Sequence, residues 1–594
     1  MGKIFFHYLK PYYPRMAWGF VIKFTGTLMD LFLPWALAYM IDTVISVSGR
    51  REILLWGIFM LGCSVLAVLC NVLANRMASR VASDAIYVIR EDLFAKVMYL
   101  PDQQADKMTR PSLLSRLTSD TYNVHQMLGR IQRLGVRAPI LLVGGIAMTL
   151  MLDAALAGVL LATLPLLALV VVMVSKRSIP LYGELQESLD GFVRLVRENI
   201  AGIRVIKALS REDYERRRFG EINREVVERE RRAAMTAAIT NPAMNILLNL
   251  GLVAVVLVGA LRVNSGLSEV GKILAFMTYF TIILNALLSI SRMFVMVSKA
   301  AASAGRIAQV LETADEREWT AWAPEEKERR EPGPSETVPP HVSFDHVSFS
   351  YNKVADNLRD ISFSLKKGET LGIIGSTGSG KSTIASLLMR FYDADEGSVR
   401  IEGQDIRTMD LQGLRRRFGV AFQNDVLFAG TIYDNINMGR GLTREEAGKA
   451  VSHARARDFV EDKGGMEERL EIRGANLSGG QKQRLLIARA LAACPEILIL
   501  DDSSSALDYR TDAALRRELR EHFASTTCII IAQRVSSVMG ADHILVLEEG
   551  RMAGYGTHQE LMENCGIYQE IESSQMGQGG EEGWQTAAGQ TGWS

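Results

Sequence analysis

Ile53–Asn75 runs for the width of a bilayer without a single charged residue, and the same holds for Ala154–Ser175, Ala233–Leu261 and Ile273–Ser291. A helix needs about 20 apolar residues to cross hydrocarbon. Inside that medium every backbone N–H and C=O has to be satisfied within the chain, so runs like these are predicted to be membrane helices. Ala138–Leu152 is shorter and is separated from the next run only by Asp153, which predicts a tight outer turn between two helices. Ala17–Ile45 is read as a further span although it carries Lys23, Asp30 and Asp42. Six spans result, and an even number leaves both ends of the helical part on one side.

Positive charge decides which side. Arg76–Arg137, between the second and third spans, holds ten Lys or Arg. The connection between the fourth and fifth spans carries Arg216, Arg217, Arg218, Arg229, Arg231 and Arg232. Both are expected on the cytoplasmic side of the cytoplasmic membrane, with the two termini; Arg50 and Arg51 oppose this but are outnumbered. These connections are longer than turns need. Stretches such as 111–117 and 182–214 are expected to be helices that continue past the bilayer. Asp30, one turn before Pro34, is an intramembrane carboxylate and so a functional candidate. Met235, Met244, Phe276, Met277, Tyr279, Phe280, Met293 and Met296 are candidates for an adaptable apolar cavity.

Composition narrows the classes. With 67 basic and 67 acidic residues the formal net charge is zero, which argues against nucleic acid as a partner. The five cysteines (63, 70, 494, 528, 565) lack metal-ligand spacing and suggest no disulfide framework. No secretory leader is evident at the start of the chain.

The helical part is assigned to residues 1–312. Residues 313–341, rich in Glu, Arg and Pro, read as a linker. Residues 342–573 alternate strand and helix signals and are expected to form an α/β domain. Residues 574–594 are Gly-, Gln- and Glu-rich and expected to be disordered. Within the α/β domain a buried strand, Glu369–Ile374, leads into Gly375-Ser376-Thr377-Gly378-Ser379-Gly380-Lys381-Ser382, and a helix is predicted from Thr383. Strand, glycine loop and helix in that order make a phosphate-binding loop, whose backbone N–H groups and helix N-terminus favour anions. Lys381 is expected to reach the β- and γ-phosphates of ATP and Ser382 to ligate Mg²⁺. A second buried strand, Ile497–Leu500, ends at Asp501, expected to hold Mg²⁺ through water.

Leu477-Ser478-Gly479-Gly480-Gln481, opening a predicted helix over 482–493, gives the resemblance its specificity. The chain resembles an ATP-binding cassette (ABC) half-transporter of the exporter type over nearly all of residues 1–572. The resemblance implies that Tyr351 stacks on adenine and that Gln423 touches Mg²⁺. It implies that Leu477–Gln481 acts on ATP held by a partner domain, and that Ser505-Ala506-Leu507-Asp508 crosses the dimer interface. Glu198, Gly202, Val205–Ala208 and Glu212 resemble a second region that couples the membrane half to ATP.

Three residues depart from the family pattern. Asp502 stands where a catalytic glutamate is expected; its carboxylate falls about 1.5 Å short, and misplacement of about 1 Å can cost on the order of 10²-fold in rate. Gln533 replaces a histidine and cannot carry charge or relay a proton. Ile472 replaces a glutamate. The resemblance then implies a site that binds ATP but cleaves it slowly, inside a heterodimer whose other half-transporter supplies the glutamate and histidine. The expected function is export of a small hydrophobic or amphipathic compound across the bilayer. The alternatives are a regulatory or ATP-sensing membrane subunit that transports nothing, and a slow homodimeric exporter or lipid flippase.

Overall fold

Among the described residues, six helices are long and apolar enough to cross a membrane: Phe6–Val44, Arg50–Met98, Arg110–Leu152, Ala154–Ala201, Glu212–Asn264 and Val270–Ile290. The computed structural model describes residues 2–45, 49–316, 339–423, 425–503 and 505–576. It divides into two units, Met1–Met98 with Pro111–Thr313, and Tyr99–Arg110 with Ala314–Ser594. Residues 99–110 fall within the stretch assigned from sequence to the helical part, yet they pack into the C-terminal unit. Most of the 313–341 linker and all of the tail beyond 576 lie outside the described residues; residues 574–576 end a helix, Gly566–Met576.

In the helical unit, Arg50–Met98 and Ala154–Ala201 hold 49 and 48 residues. At 1.5 Å per residue each is about 72 Å long, more than twice the ~30 Å hydrocarbon core. Of the expected extension over 182–214, residues 182–201 continue the Ala154–Ala201 helix, which then breaks at Gly202. Asp153 makes the predicted outer turn. Its backbone is extended (φ −161°, ψ 112°) and its carboxylate accepts from the N–H groups of Ala155 and Leu156, capping the Ala154–Ala201 helix. Arg262, near the end of the Thr240–Asn264 helix, pairs with the same carboxylate at 3.2 Å.

The first span shows how polar groups are managed. Pro34 removes a helical N–H, and past Tyr39 the helix widens into a π-turn, Met40–Val44. The Tyr279 hydroxyl donates to the Leu31 carbonyl at 2.6 Å, one turn before that proline. Asp42 accepts from the backbone N–H groups of Gly271 and Lys272 at 2.5 and 3.1 Å, so it caps the N-terminus of Val270–Glu312, a helix more than 200 residues away. Lys23 donates to Asn75 at 3.0 Å, and Asp30 pairs with Arg137 at 3.0 Å and accepts from Asn71 at 3.3 Å. The first two spans meet over small residues: a Cβ on Gly26 would lie 2.9 Å from the Cys70 Cβ and 3.3 Å from the Ala67 carbonyl oxygen.

The Met and aromatic residues considered for a cavity lining divide. Met244, Phe276, Tyr279 and Phe280 are fully buried against neighbouring helices and form core, while Met235 is exposed. Packing in the bundle takes the large side chains at these positions.

In the C-terminal unit a six-stranded sheet runs in the order Arg551–Gly556, His543–Glu548, Thr370–Gly375, Thr527–Ile531, Ile497–Asp501, Phe418–Ala421. All pairs are parallel except the first. A four-stranded antiparallel sheet stands beside it, in the order Leu358–Leu365, Val342–Phe349, Glu396–Ile401, Gln404–Asp405. One core joins both sheets with the Lys381–Leu388 helix, through Phe344, Ile361, Ile373, Ile384, Ile499 and Ile529 among others. The fold is therefore a polytopic helical domain followed by an α/β domain.

Gly271 sits where a Cβ would lie 2.6 Å from both the Ala38 carbonyl and Asp42. Gly271→Ala is expected to cost about 2 kcal/mol, an overpacking penalty, read as a lowered thermal midpoint in detergent. Gly57→Ala, which meets nothing within 4 Å, leaves the midpoint unchanged or raised.

Candidate functional site

The strand Thr370–Gly375 lies inside the parallel sheet, and the chain leaving its C-terminal edge forms the glycine loop. Such edges, where strands end and helices begin, are where open α/β sheets hold ligands. Gly380 caps the Lys381–Leu388 helix in the left-handed region at φ 97°. A Cβ there would come within 2.6 Å of Leu358 and 2.7 Å of the Asn357 carbonyl, so only glycine fits. The helix starts at Lys381, two residues before the start predicted from sequence.

The loop borders a cavity of about 290 Å³. Thr377, Gly378, Gly380, Lys381, Ser382 and Thr383 line one side of it. Tyr351 and Gln423 close another, and Asp501, Asp502 and Gln533 stand at the ends of neighbouring strands. The carbonyls of Gly375 and Ser376 hold the Lys381 ammonium at 3.0 and 2.7 Å. Ser379 is buried and its hydroxyl has no hydrogen-bond partner among the described residues. Tyr351 is 41% exposed, its hydroxyl donates to Thr383 at 3.3 Å, and its ring meets Tyr392 edge-on at 5.0 Å.

Electrostatics in the cavity are set by burial. Desolvation pushes the Asp501 carboxyl above the usual carboxylate range; the neighbouring Asp502 adds to this, while the Ser382 hydroxyl and Lys381 oppose it. Desolvation lowers Lys381, against the pull of Asp501 and Asp502. The Ser382 hydroxyl, the Asp501 carboxylate and the Gln423 amide oxygen form a small set of hard oxygen donors beside the loop. Their chemistry fits Mg²⁺, which takes one or two protein oxygens together with phosphate oxygens.

Asp502 adopts φ 47°, a left-handed conformation that Asp tolerates better than most residues. Its Oδ2 accepts from two amides, Gln423 Nε2 and Gln533 Nε2, each at 3.1 Å. Both neighbours present donors, and neither can take a proton.

The Leu477–Gln481 stretch does not line this cavity. Ser478 and Gln481 form a capping box: the Ser478 hydroxyl accepts from the Gln481 N–H, and the Gln481 side chain accepts from the Ser478 N–H at 3.0 Å. The helix therefore begins at Gly479, three residues earlier than predicted from the sequence. Ala506 of the Ser505–Asp508 loop packs against it, with the Gly480 Cβ position 3.0 Å from the Ala506 carbonyl. Leu507 is buried, and Asp508 caps the Tyr509–His522 helix through the Thr511 N–H. Ile472 is 75% exposed. In the helical unit, Gly202 interrupts a long helix, and Ile203–Ala208 form one short turn with Ile203 and Val205 exposed. Glu198 lies 3.8 Å from Arg218.

Three contributors escaped the sequence reading. Gln483 donates to Ser505 Oγ at 3.1 Å and to the Asp502 carbonyl at 3.5 Å, and accepts from the Ala506 N–H at 2.9 Å. It ties the helix after Gln481 to the segment that carries Asp502. Tyr392, the ring beneath Tyr351, donates to Asp106 at 2.6 Å, which links the cavity to the 99–110 segment. Gln575 donates to the Gln533 carbonyl at 2.8 Å and pins the strand end that carries Gln533. A lone glutamine or tyrosine has no local signature; only proximity in the fold reveals these.

Gln483→Leu keeps the bulk but removes these bonds. Hydrogen exchange in a peptide covering 502–508 is expected to speed up about tenfold, as loss of roughly 1.5 kcal/mol of hydrogen bonding would give, with exchange in 375–383 unchanged. Equal exchange in both peptides would show that Gln483 does not order the loop.

Residues 16–287 match the ABC transporter transmembrane region, and residues 358–505 match the ABC transporter family. An uncharacterised ABC transporter ATP-binding protein of Bacillus subtilis is 34% identical over 578 residues, covering 97% of this chain and 99% of the relative. A fatty acid ABC transporter ATP-binding/permease protein of Mycobacterium tuberculosis is 34% identical over 486 residues, 81% of this chain and 75% of the relative. The solved structure of a bacterial Atm1-family ABC exporter with ATP bound superposes with a TM-score of 0.79 at 26% identity, covering 96% of this chain and 99% of that one. The chain belongs to the ABC transporters, as a member with its membrane-spanning and ATP-binding domains fused in the exporter arrangement.

Proposed function

We propose that this chain is one half of a heterodimeric, ATP-driven exporter of small hydrophobic or amphipathic compounds, and that its own ATP site binds nucleotide but cleaves it slowly. ABC exporters work as dimers in a membrane. In this reading Tyr351 stacks on adenine and the backbone of 375–383 surrounds the phosphates. Lys381 leaves the Gly375 and Ser376 carbonyls to meet the β- and γ-phosphates. Ser382, Asp501 and Gln423 hold Mg²⁺, which neutralises phosphate charge when bound. Leu477–Gln481 and Ser505–Asp508 serve the ATP held by the partner, and the partner's counterpart serves this one. The ATP domain and both termini lie in the cytoplasm, on the side of the two basic connections.

The observation that carries the reading is the pair of amides on Asp502 Oδ2. A general base needs a lone pair aimed at the attacking water and a pKa suited to accepting its proton. Asp502 is short, and the oxygen involved is already engaged by two donors. The parts that bind phosphate remain, so occupancy without turnover is the natural state of such a site. The partner would then carry the glutamate and histidine, and this chain's Leu477–Gln481 would complete the partner's catalytic centre.

Two features support an amphipathic cargo. The first span is not uniformly apolar: Lys23 and Asp30 are held inside the helical unit by Asn75, Arg137 and Asn71. The M. tuberculosis relative is named for fatty acids, which are amphiphiles of this kind.

The test is the double variant Asp502→Glu/Gln533→His in the purified complex. ATP turnover at this site should rise by about 10²-fold, the scale of a restored 1 Å placement, with nucleotide affinity little changed. Unchanged turnover would remove the poor base as the explanation.

A further inference from the structure

The polar groups of the first span converge on a place that can recognise charge. Asp30 is occupied by Arg137 at 3.0 Å and by the Asn71 amide at 3.3 Å. Lys23, 3% exposed, lies within electrostatic reach of Asp30, Arg137 and Arg133. Two cations, Arg137 and Lys23, therefore lie near one carboxylate, and that carboxylate is already paired with Arg137. Uncompensated charge at membrane depth is costly and makes its surroundings a candidate substrate or ion path.

Arg137 also borders a cavity of about 230 Å³ between the Val136–Leu152 and Val270–Glu312 helices. Asn285 and Ser289 supply neutral polar groups, and Leu134, Leu141 and Ile282 supply apolar wall. The Arg137 side chain is 41% exposed although its Nη2 holds Asp30, so the guanidinium keeps accessible N–H donors beyond the one engaged. Arg137 lies 15 residues from the outer end of its helix at Leu152. That is about 22 Å along the helix axis, in the inner part of a ~30 Å core. The volume is below the roughly 300 Å³ at which pockets enclose a whole drug-sized ligand. It suits a headgroup, with the tail left along the apolar wall.

We propose that this cavity binds the anionic headgroup of a single-chain amphiphile, a carboxylate or a phosphate monoester, through Arg137 with Asn285 and Ser289. The proposal rests on the export reading for its role but not for its chemistry. A cationic headgroup would meet a carboxylate that is already neutralised and the like charges of Arg137 and Lys23. A neutral one would leave the excess positive charge in place. An anion balances it, and the planar guanidinium fork is the side chain best shaped for carboxylate or phosphate.

The experiment measures binding without ATP, in the full chain reconstituted into phosphatidylcholine nanodiscs at near-neutral pH, with empty nanodiscs as background. Tritiated oleate, monooleoyl phosphatidate, oleyl alcohol and oleylamine are compared. At least one of the two anions should bind about tenfold or more tighter than the alcohol, the scale of one charge-assisted hydrogen bond, and which one leads identifies the headgroup. Arg137→Gln should abolish the preference. Because that change strands Asp30, the double variant Asp30→Asn/Arg137→Gln, which keeps a neutral hydrogen-bonded pair, should abolish it too. Oleyl alcohol or oleylamine binding as tightly as both anions, or a preference that survives in both variants, overturns the proposal. ATP-dependent accumulation in inverted vesicles is read separately: selective binding without transport would sink the export reading alone, and transport without headgroup preference would sink this site alone.

Discussion

Hydrocarbon cannot hydrogen-bond, and this single restriction organises the first 300 residues. Backbone groups must close on themselves, so the chain there is helical. Where a helix starts, or where proline breaks its ladder, the freed groups need partners from elsewhere in the chain. Asp42 supplies one set, to Gly271 and Lys272; Asp153 supplies another, to Ala155 and Leu156. These two carboxylates are thus structural caps. Asp30 differs because its partners are cations and amides rather than helix ends.

The ATP-binding unit obeys a different rule: strand ends and loop glycines place charge, and glutamine amides adjust it. Asp501 and Asp502 are adjacent, yet their surroundings differ. Asp501 is buried beside the Ser382 hydroxyl and Lys381, while Asp502 sits half-exposed in a left-handed conformation between two amides. Gln483 connects that same segment to the helix opened by Ser478. A change at Asp502 is therefore transmitted to the start of the helix opened by Ser478.

The spans, the glycine loop and the Asp153 turn were legible because each depends on local chemistry: length without charge, glycine spacing, one acid between two apolar runs. Contacts across long sequence distances were not. Nothing in residues 30–45 announces that Asp42 caps a helix beginning at Val270, nor does any local pattern tie Tyr392 to Asp106. The sequence predicts the helix after Leu477 from 482, and the two glycines ahead of that position weaken helix propensity. The Ser478–Gln481 capping box overrides them. Met and aromatic residues in the last two spans could not be sorted into cavity and core, because both uses call for the same side chains. The structure puts Phe276, Tyr279 and Phe280 in the core.

The central claim is asymmetry between two ATP sites, and a single-turnover quench tests it most directly. The purified complex is loaded with radiolabelled ATP and Mg²⁺, freed of excess nucleotide, and quenched over time, with retained ATP and ADP separated. The account predicts two populations: one converts to ADP, and the other, held by the Lys381 loop and lost in Lys381→Ala, persists as ATP. Conversion of all bound ATP in one phase would contradict it.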